Sequence, residues 1–159
     1  MDKNLASSPD HPQIALPPPF IFAGYLASAL ILQWLVPFPT PWTLFSRILG
    51  GALVVIAIAL VASAFSEMAK AHTTPDARQS TTALVTSGPY RFTRNPIYLG
   101  FLLIYLGFTL LDATFWGLLL CPFLIGAITG SIIHAEETYL GNKFKDAYRD
   151  YTSHVRRWL

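Results

Sequence analysis

The chain has 159 residues, of which 53% are hydrophobic and only 13% charged, and a mean hydropathy of +0.44. It is about one domain long and too apolar for an ordinary soluble domain, so it reads as a membrane protein. A net charge of +2 is too small for a nucleic-acid partner, and the single cysteine, Cys121 inside an apolar run, excludes an intramolecular disulfide framework and is assigned to packing.

In chain order, the head from Met1 to Pro19 is polar and proline-rich and is expected to be disordered or to lie on the surface. Phe20 to Phe38 is longer than a signal-peptide core and is followed by Pro37, Pro39 and Pro41 rather than a small-residue cleavage site, so it is read as a retained span ending in a tight turn. Ile48 to Phe65, Ile97 to Leu111 and Ala113 to Ile133 are the other apolar runs. A helix of about 20 apolar residues is what crosses a bilayer, because it satisfies its own backbone polar groups in hydrocarbon. The predicted fold is therefore all-α: a multi-pass helical membrane protein with about four transmembrane helices, the last two a hairpin broken at Asp112, plus a C-terminal amphipathic helix. The expected division is head 1–19, first two helices 20–71 and a functional core 72–159.

Lys and Arg placement orients this topology, since short cytoplasmic loops are enriched in them. Ten of the eleven lie in the head (Lys3), between the second and third runs (Lys70, Arg78, Arg91, Arg94) or in the tail (Lys143, Lys145, Arg149, Arg156, Arg157), and only Arg47 lies at the opposite end. Both termini are accordingly expected in the cytoplasm. The tail repeats Leu140, Phe144, Tyr148, Tyr151, Val155 and Trp158 at helical spacing, one apolar stripe that either lies in the headgroup plane or lids the middle loop.

The middle loop, Ser66 to Asn95, carries specific turn chemistry. Ser87-Gly88-Pro89 supplies a bend, Pro96 suits a first helical turn, and Asn95 is the expected N-cap. Arg91 and Arg94 beside that helix start favour an anion. Glu136 and Glu137, at the end of the fourth run and on the same side of the bilayer, need a cationic answer from Arg91, Arg94, Lys143 or a ligand. His134 stands one turn before Glu137, but the spacing of a metal site is absent and no metal is expected. Cations in one place and carboxylates in another suit a zwitterionic ligand.

Leu84-Val85-Thr86-Ser87-Gly88-Pro89-Tyr90, then Arg94-Asn95-Pro96-Ile97-Tyr98-Leu99-Gly100, resembles the signature of the isoprenylcysteine carboxyl methyltransferase and phospholipid methyltransferase-like membrane enzymes. Glu136-Glu137-x-x-Leu140, with Phe144, Tyr148, Tyr151 and Val155, resembles the second block of that pattern. The resemblance implies a methyltransferase with S-adenosylmethionine as cofactor, working in the bilayer on a lipophilic acceptor. Carried over by position, Thr82, Leu84, Val85, Tyr90, Asn95, Pro96, Tyr98 and Glu136 would hold the cofactor, and Arg94 and Glu137 would shape the catalytic site. Asn95 replaces the family's histidine, Lys145 its glycine, and Ile132 the arginine that meets a prenylcysteine carboxylate, which argues against that substrate. Two other readings compete: a sterol- or polyprenyl-type membrane reductase with a nicotinamide cofactor, and a non-catalytic scaffold in which Asn95 only caps and the glutamates only pair with arginines.

Overall fold

The computed structural model describes residues 16–39, 44–74 and 79–159. Most of the head, Lys3, Pro41 and Arg78 lie outside the described residues. The described chain is all-helical: α1 (Pro18–Leu35), α2 (Leu44–Lys70), a short 3-10 turn (Gly88–Arg91), α3 (Pro96–Leu111), α4 (Phe115–Ile128), a π turn (Thr129–Ile133) and α5 (His134–His154). Three continuous stretches, Pro18–Leu35, Leu44–Lys70 and Phe115–His154, are long and apolar enough to cross a membrane. The third expected span, α3, has 16 residues, which at about 1.5 Å per residue is shorter than the roughly 30 Å hydrocarbon thickness.

Helix α3 starts where proline allows it. Pro96 takes the first turn, where its missing N–H costs no hydrogen bond. Asn95 does occupy the N-cap position, but its side chain makes no capping bond; it is used elsewhere, as described below. The hairpin between α3 and α4 closes over Asp112-Ala113-Thr114, with Ala113 at φ 54° and the Thr114 N–H donating to the Thr109 carbonyl at 3.1 Å. The Tyr105 hydroxyl, fully buried, donates to the Gly117 carbonyl at 2.9 Å and ties the two arms together.

Helix α2 lies along α3, and α1 lies mainly along α4. The approach of α2 and α3 is close because both present glycine. A Cβ built on Gly50 would stand 2.7 Å from the Gly107 carbonyl oxygen, and one on Gly107 would stand 2.6 Å from Val54 Cγ2. In lipid, where apolar side chains gain nothing by leaving solvent, backbone approach of this kind is what holds helices together. Outward, α2 shows Val55, Ile56 and Ile58, each more than half exposed.

Two expectations are corrected at the ends of elements. Ser66 to Lys70 were read as the start of the loop but belong to α2, where Lys70 reaches Glu67 one turn back at 2.6 Å. The tail was read as one helical stripe from Leu140 to Trp158. In fact α5 is broken at Lys145, at φ 46° and ψ −115°, and Val155 leaves it in extended conformation. The break turns Tyr148 and Tyr151 inward, where both are buried, and Trp158 packs against the core formed by Phe22, Tyr98, Tyr105, Leu124 and neighbours.

Candidate active site

A cavity of about 400 Å³ opens at the end of the bundle where α1 begins, α2 ends, α3 begins and the π turn passes into α5. This is within the range of small-molecule sites, roughly 300–1,000 Å³. Its lining is mixed: Phe65, Met68, Ile97 and Phe101 are apolar, while Arg94, Asn95, Tyr98, Glu136, Glu137 and Tyr148 bring polar atoms.

Of the residues singled out in the sequence, Leu84, Val85, Tyr90, Arg94, Asn95, Pro96, Tyr98, Glu136 and Glu137 all line this cavity. Thr82 does not. It is exposed, its hydroxyl donates to the His72 carbonyl at 2.8 Å, and its N–H donates to Thr73 Oγ1 at 3.1 Å. Its place is in the fold of the loop; the cavity receives its neighbours Thr81 and Ala83.

The loop is held from two sides. At its Gly88 bend, at φ 58°, a Cβ would meet Glu67 Cγ at 2.6 Å, so glycine is required there both by backbone conformation and by space. The Glu67 carboxylate accepts a hydrogen bond from the Ser87 hydroxyl. From the other side α5 reaches over. The Tyr151 hydroxyl donates to the Tyr90 carbonyl at 2.7 Å, and Tyr139 Oη accepts from the Thr81 N–H at 3.1 Å and from Lys143 Nζ at 2.9 Å. The tail thus packs over the middle loop. Tyr90 itself is buried, and burial, with Tyr151 and Glu136 nearby, pushes its phenol well above the ordinary tyrosine value.

The adjacent carboxylates have different surroundings. Glu137 is held by two guanidinium groups: Arg157 donates from Nε to Oε1 at 2.9 Å and from Nη2 to Oε2 at 2.7 Å, and Arg94 Nη1 stands 3.2 Å from Oε1. This is the bidentate fork that suits a carboxylate. Glu136 accepts the Tyr98 hydroxyl at 2.5 Å. Glu136 and Glu137 are the two carboxylates that line the cavity, and Glu136 is the one with no cation among its described partners. Arg94 also keeps its Nε buried without a hydrogen-bond partner among the described residues. A buried donor left unpaired is costly unless a ligand answers it. Arg94 and Glu136 thus line one chamber, the first with an unpaired buried donor and the second with no cation among its described partners. Among the described residues, no three His, Cys, Asp or Glu side chains come together as a metal site would require.

Arg157 is the residue that sequence reasoning did not single out; there it was one more basic tail residue. Besides its clamp on Glu137, its carbonyl accepts from Asn95 Nδ2 at 2.9 Å and from Thr93 Oγ1 at 3.1 Å, and the carbonyl before it, of Arg156, accepts the Arg94 N–H at 3.0 Å. The amide of Asn95, expected to face a ligand, thus spends a hydrogen on the tail. The apolar lining was also missed, since Phe65, Met68 and Phe101 carry no signal that separates them from lipid-facing neighbours.

The phospholipid methyltransferase family matches residues 45–147, well over half of the chain. The protein-S-isoprenylcysteine O-methyltransferase of Schizosaccharomyces pombe is 33% identical over 84 residues, which are 53% of this chain and 36% of that relative. The chain therefore matches little more than a third of the length of that curated relative. No solved structure matches it.

Proposed function

The chain belongs to the phospholipid methyltransferase family, and from that premise we propose that it is an S-adenosylmethionine-dependent methyltransferase acting on a lipophilic acceptor at the cytoplasmic surface of the membrane. The observation that carries the reading is a cavity of mixed lining, in which Glu136 and Arg94, whose Nε has no hydrogen-bond partner among the described residues, stand with Phe65, Met68 and Phe101. The cofactor supplies a methyl group on a sulfonium: the carbon–sulfur bond breaks as the bond to the acceptor forms, and the electron pair returns to sulfur, leaving a neutral thioether.

The protein's part is to bind, align and dry. Glu136, oriented by the Tyr98 hydroxyl, suits an ammonium or a ribose diol. Arg94 Nε suits a carboxylate. Leu84, Val85 and Tyr90 offer flat apolar surface for a base. Holding donor and acceptor in contact, in line, supplies several kcal/mol of the barrier, about 7 or more where alignment is best. A charged cofactor and an apolar acceptor dissolve in different phases, and a chamber at the end of the bundle receives each from its own. Arg47, the one basic residue at the opposite end of a span, supports a cytoplasmic position for the cavity end.

The test is a titration of the detergent-purified protein with S-adenosylmethionine, S-adenosylhomocysteine and NADPH, followed by melting temperature and calorimetry. The first two are expected to bind and stabilise. Stabilisation by the nicotinamide alone would instead support a reductase, and no ligand at all a scaffold. Glu136→Ala is expected to weaken cofactor binding by about a hundredfold, as loss of a charged partner does, with the fold intact; undiminished affinity would remove Glu136 from the site.

A further inference from the structure

Glu136 and Glu137 are neighbours on one helical turn. Here they do not have equal freedom. Glu137 has both oxygens engaged by Arg157 and one shared with Arg94, while Glu136 meets only the neutral Tyr98 hydroxyl among the described residues. Around this clamp two guanidinium groups, Arg94 and Arg157, face one carboxylate, Glu137, while Glu136 stands beside them without a cation among its described partners. Arg157 comes from the last residues of the chain and reaches the cavity-lining Glu137 because the α5 break and the extended Val155 bring the tail back over Thr93, Arg94 and Asn95.

We infer that Arg157 is a positioning residue that sets the charge of the cavity: by clamping Glu137 it leaves Glu136 as the carboxylate that meets the ligand, and so governs the discrimination between a cationic sulfonium and its neutral thioether product. The inference rests on the S-adenosylmethionine reading. A guanidinium taken away leaves Glu137 under-compensated, and the chamber gains one negative charge. That charge holds the sulfonium more tightly than the thioether, because the two ligands differ by one positive charge and little else. Removing the Glu137 charge leaves Arg94 and Arg157 in excess and acts in the opposite sense. The Arg157 guanidinium is itself held above its ordinary pKa by the hydrogen bonds to Glu137, so it is charged at every working pH.

The experiment measures the ratio of the dissociation constant for S-adenosylhomocysteine to that for S-adenosylmethionine, by calorimetry on the full chain in detergent. For Arg157→Gln the ratio is expected to rise by on the order of fivefold to tenfold over the unaltered protein. For Glu137→Gln it should fall, for the double variant return near its starting value, and for Arg157→Lys, which keeps the charge without the fork, stay near it. A purely structural Arg157 lowers the melting temperature but leaves the ratio alone, so an unchanged ratio in Arg157→Gln overturns the inference, as does an equal shift in Arg157→Lys. Should Arg157→Gln not fold, the sign of the Glu137→Gln shift decides. If the unaltered protein binds neither ligand, the functional reading itself fails, which is a separate outcome from binding with a constant ratio.

Discussion

The two ends of this molecule are held by different forces. Along α2 and α3, cohesion comes from close backbone approach at Gly50 and Gly107, with large apolar side chains such as Val55 and Ile58 turned outward. At the cavity end, cohesion comes from directional bonds: Tyr151 to the Tyr90 carbonyl, Arg157 to Glu137, and Thr93, Arg94 and Asn95 to the carbonyls of Arg156 and Arg157. The difference follows from solvent. Lipid offers no gain for burying a methyl group but tolerates no gap, whereas an interfacial loop leaves backbone groups that must be paired one by one. The bundle therefore tolerates changes of side chain on its outside but not at Gly50 and Gly107, and the site end is sensitive to single hydrogen bonds.

That contrast is sharpest at Gly107. Gly107→Leu would drive a side chain into Val54 and the Gly50 carbonyl, and should destabilise by about 3 kcal/mol or prevent assembly; thermal unfolding in detergent reads it, and a tolerated leucine would refute the close-packed account of the bundle. Tyr151→Phe leaves the packing but strips the Tyr90 carbonyl of its partner, a cost of about 1 to 2 kcal/mol, visible as a lower melting temperature together with faster proteolysis at the 79–95 loop. Lys145→Gly works in the other direction. At φ 46° and ψ −115° a lysine is strained where glycine is at ease, so the variant should gain about 1 kcal/mol, raising the melting temperature by a few degrees. A loss would mean that the Lys145 side chain contributes more than its backbone costs. The smallest effect belongs to Val55→Ala on the outer face of α2, expected within about 0.5 kcal/mol; a large loss there would show that this face is covered by protein.

Much of the site was readable before any coordinates. The turn at Ser87-Gly88-Pro89, the helix start at Pro96 and the glutamate pair are local patterns, and each lies where it was expected. The exceptions share a cause. Asn95 looks like a cap because its neighbours are a helix start, yet its amide is drawn off by the Arg157 carbonyl, sixty-two positions away in the chain. Thr82 sits between cavity-lining neighbours but turns to His72. The continuous stripe from Leu140 to Trp158 ignores a backbone break at Lys145 that a lysine there does not announce.

By itself, then, the sequence determined a membrane-embedded helical chain, because hydropathy over runs of residues is a sum over the chain that no particular packing alters. Tertiary structure alone decided which of two adjacent glutamates is clamped by arginines, which face of the tail covers the loop, and that Arg157 reaches back to the cavity-lining Glu137. Those are contacts between segments far apart in the chain, made by single directional bonds, and nothing local in either segment specifies its partner.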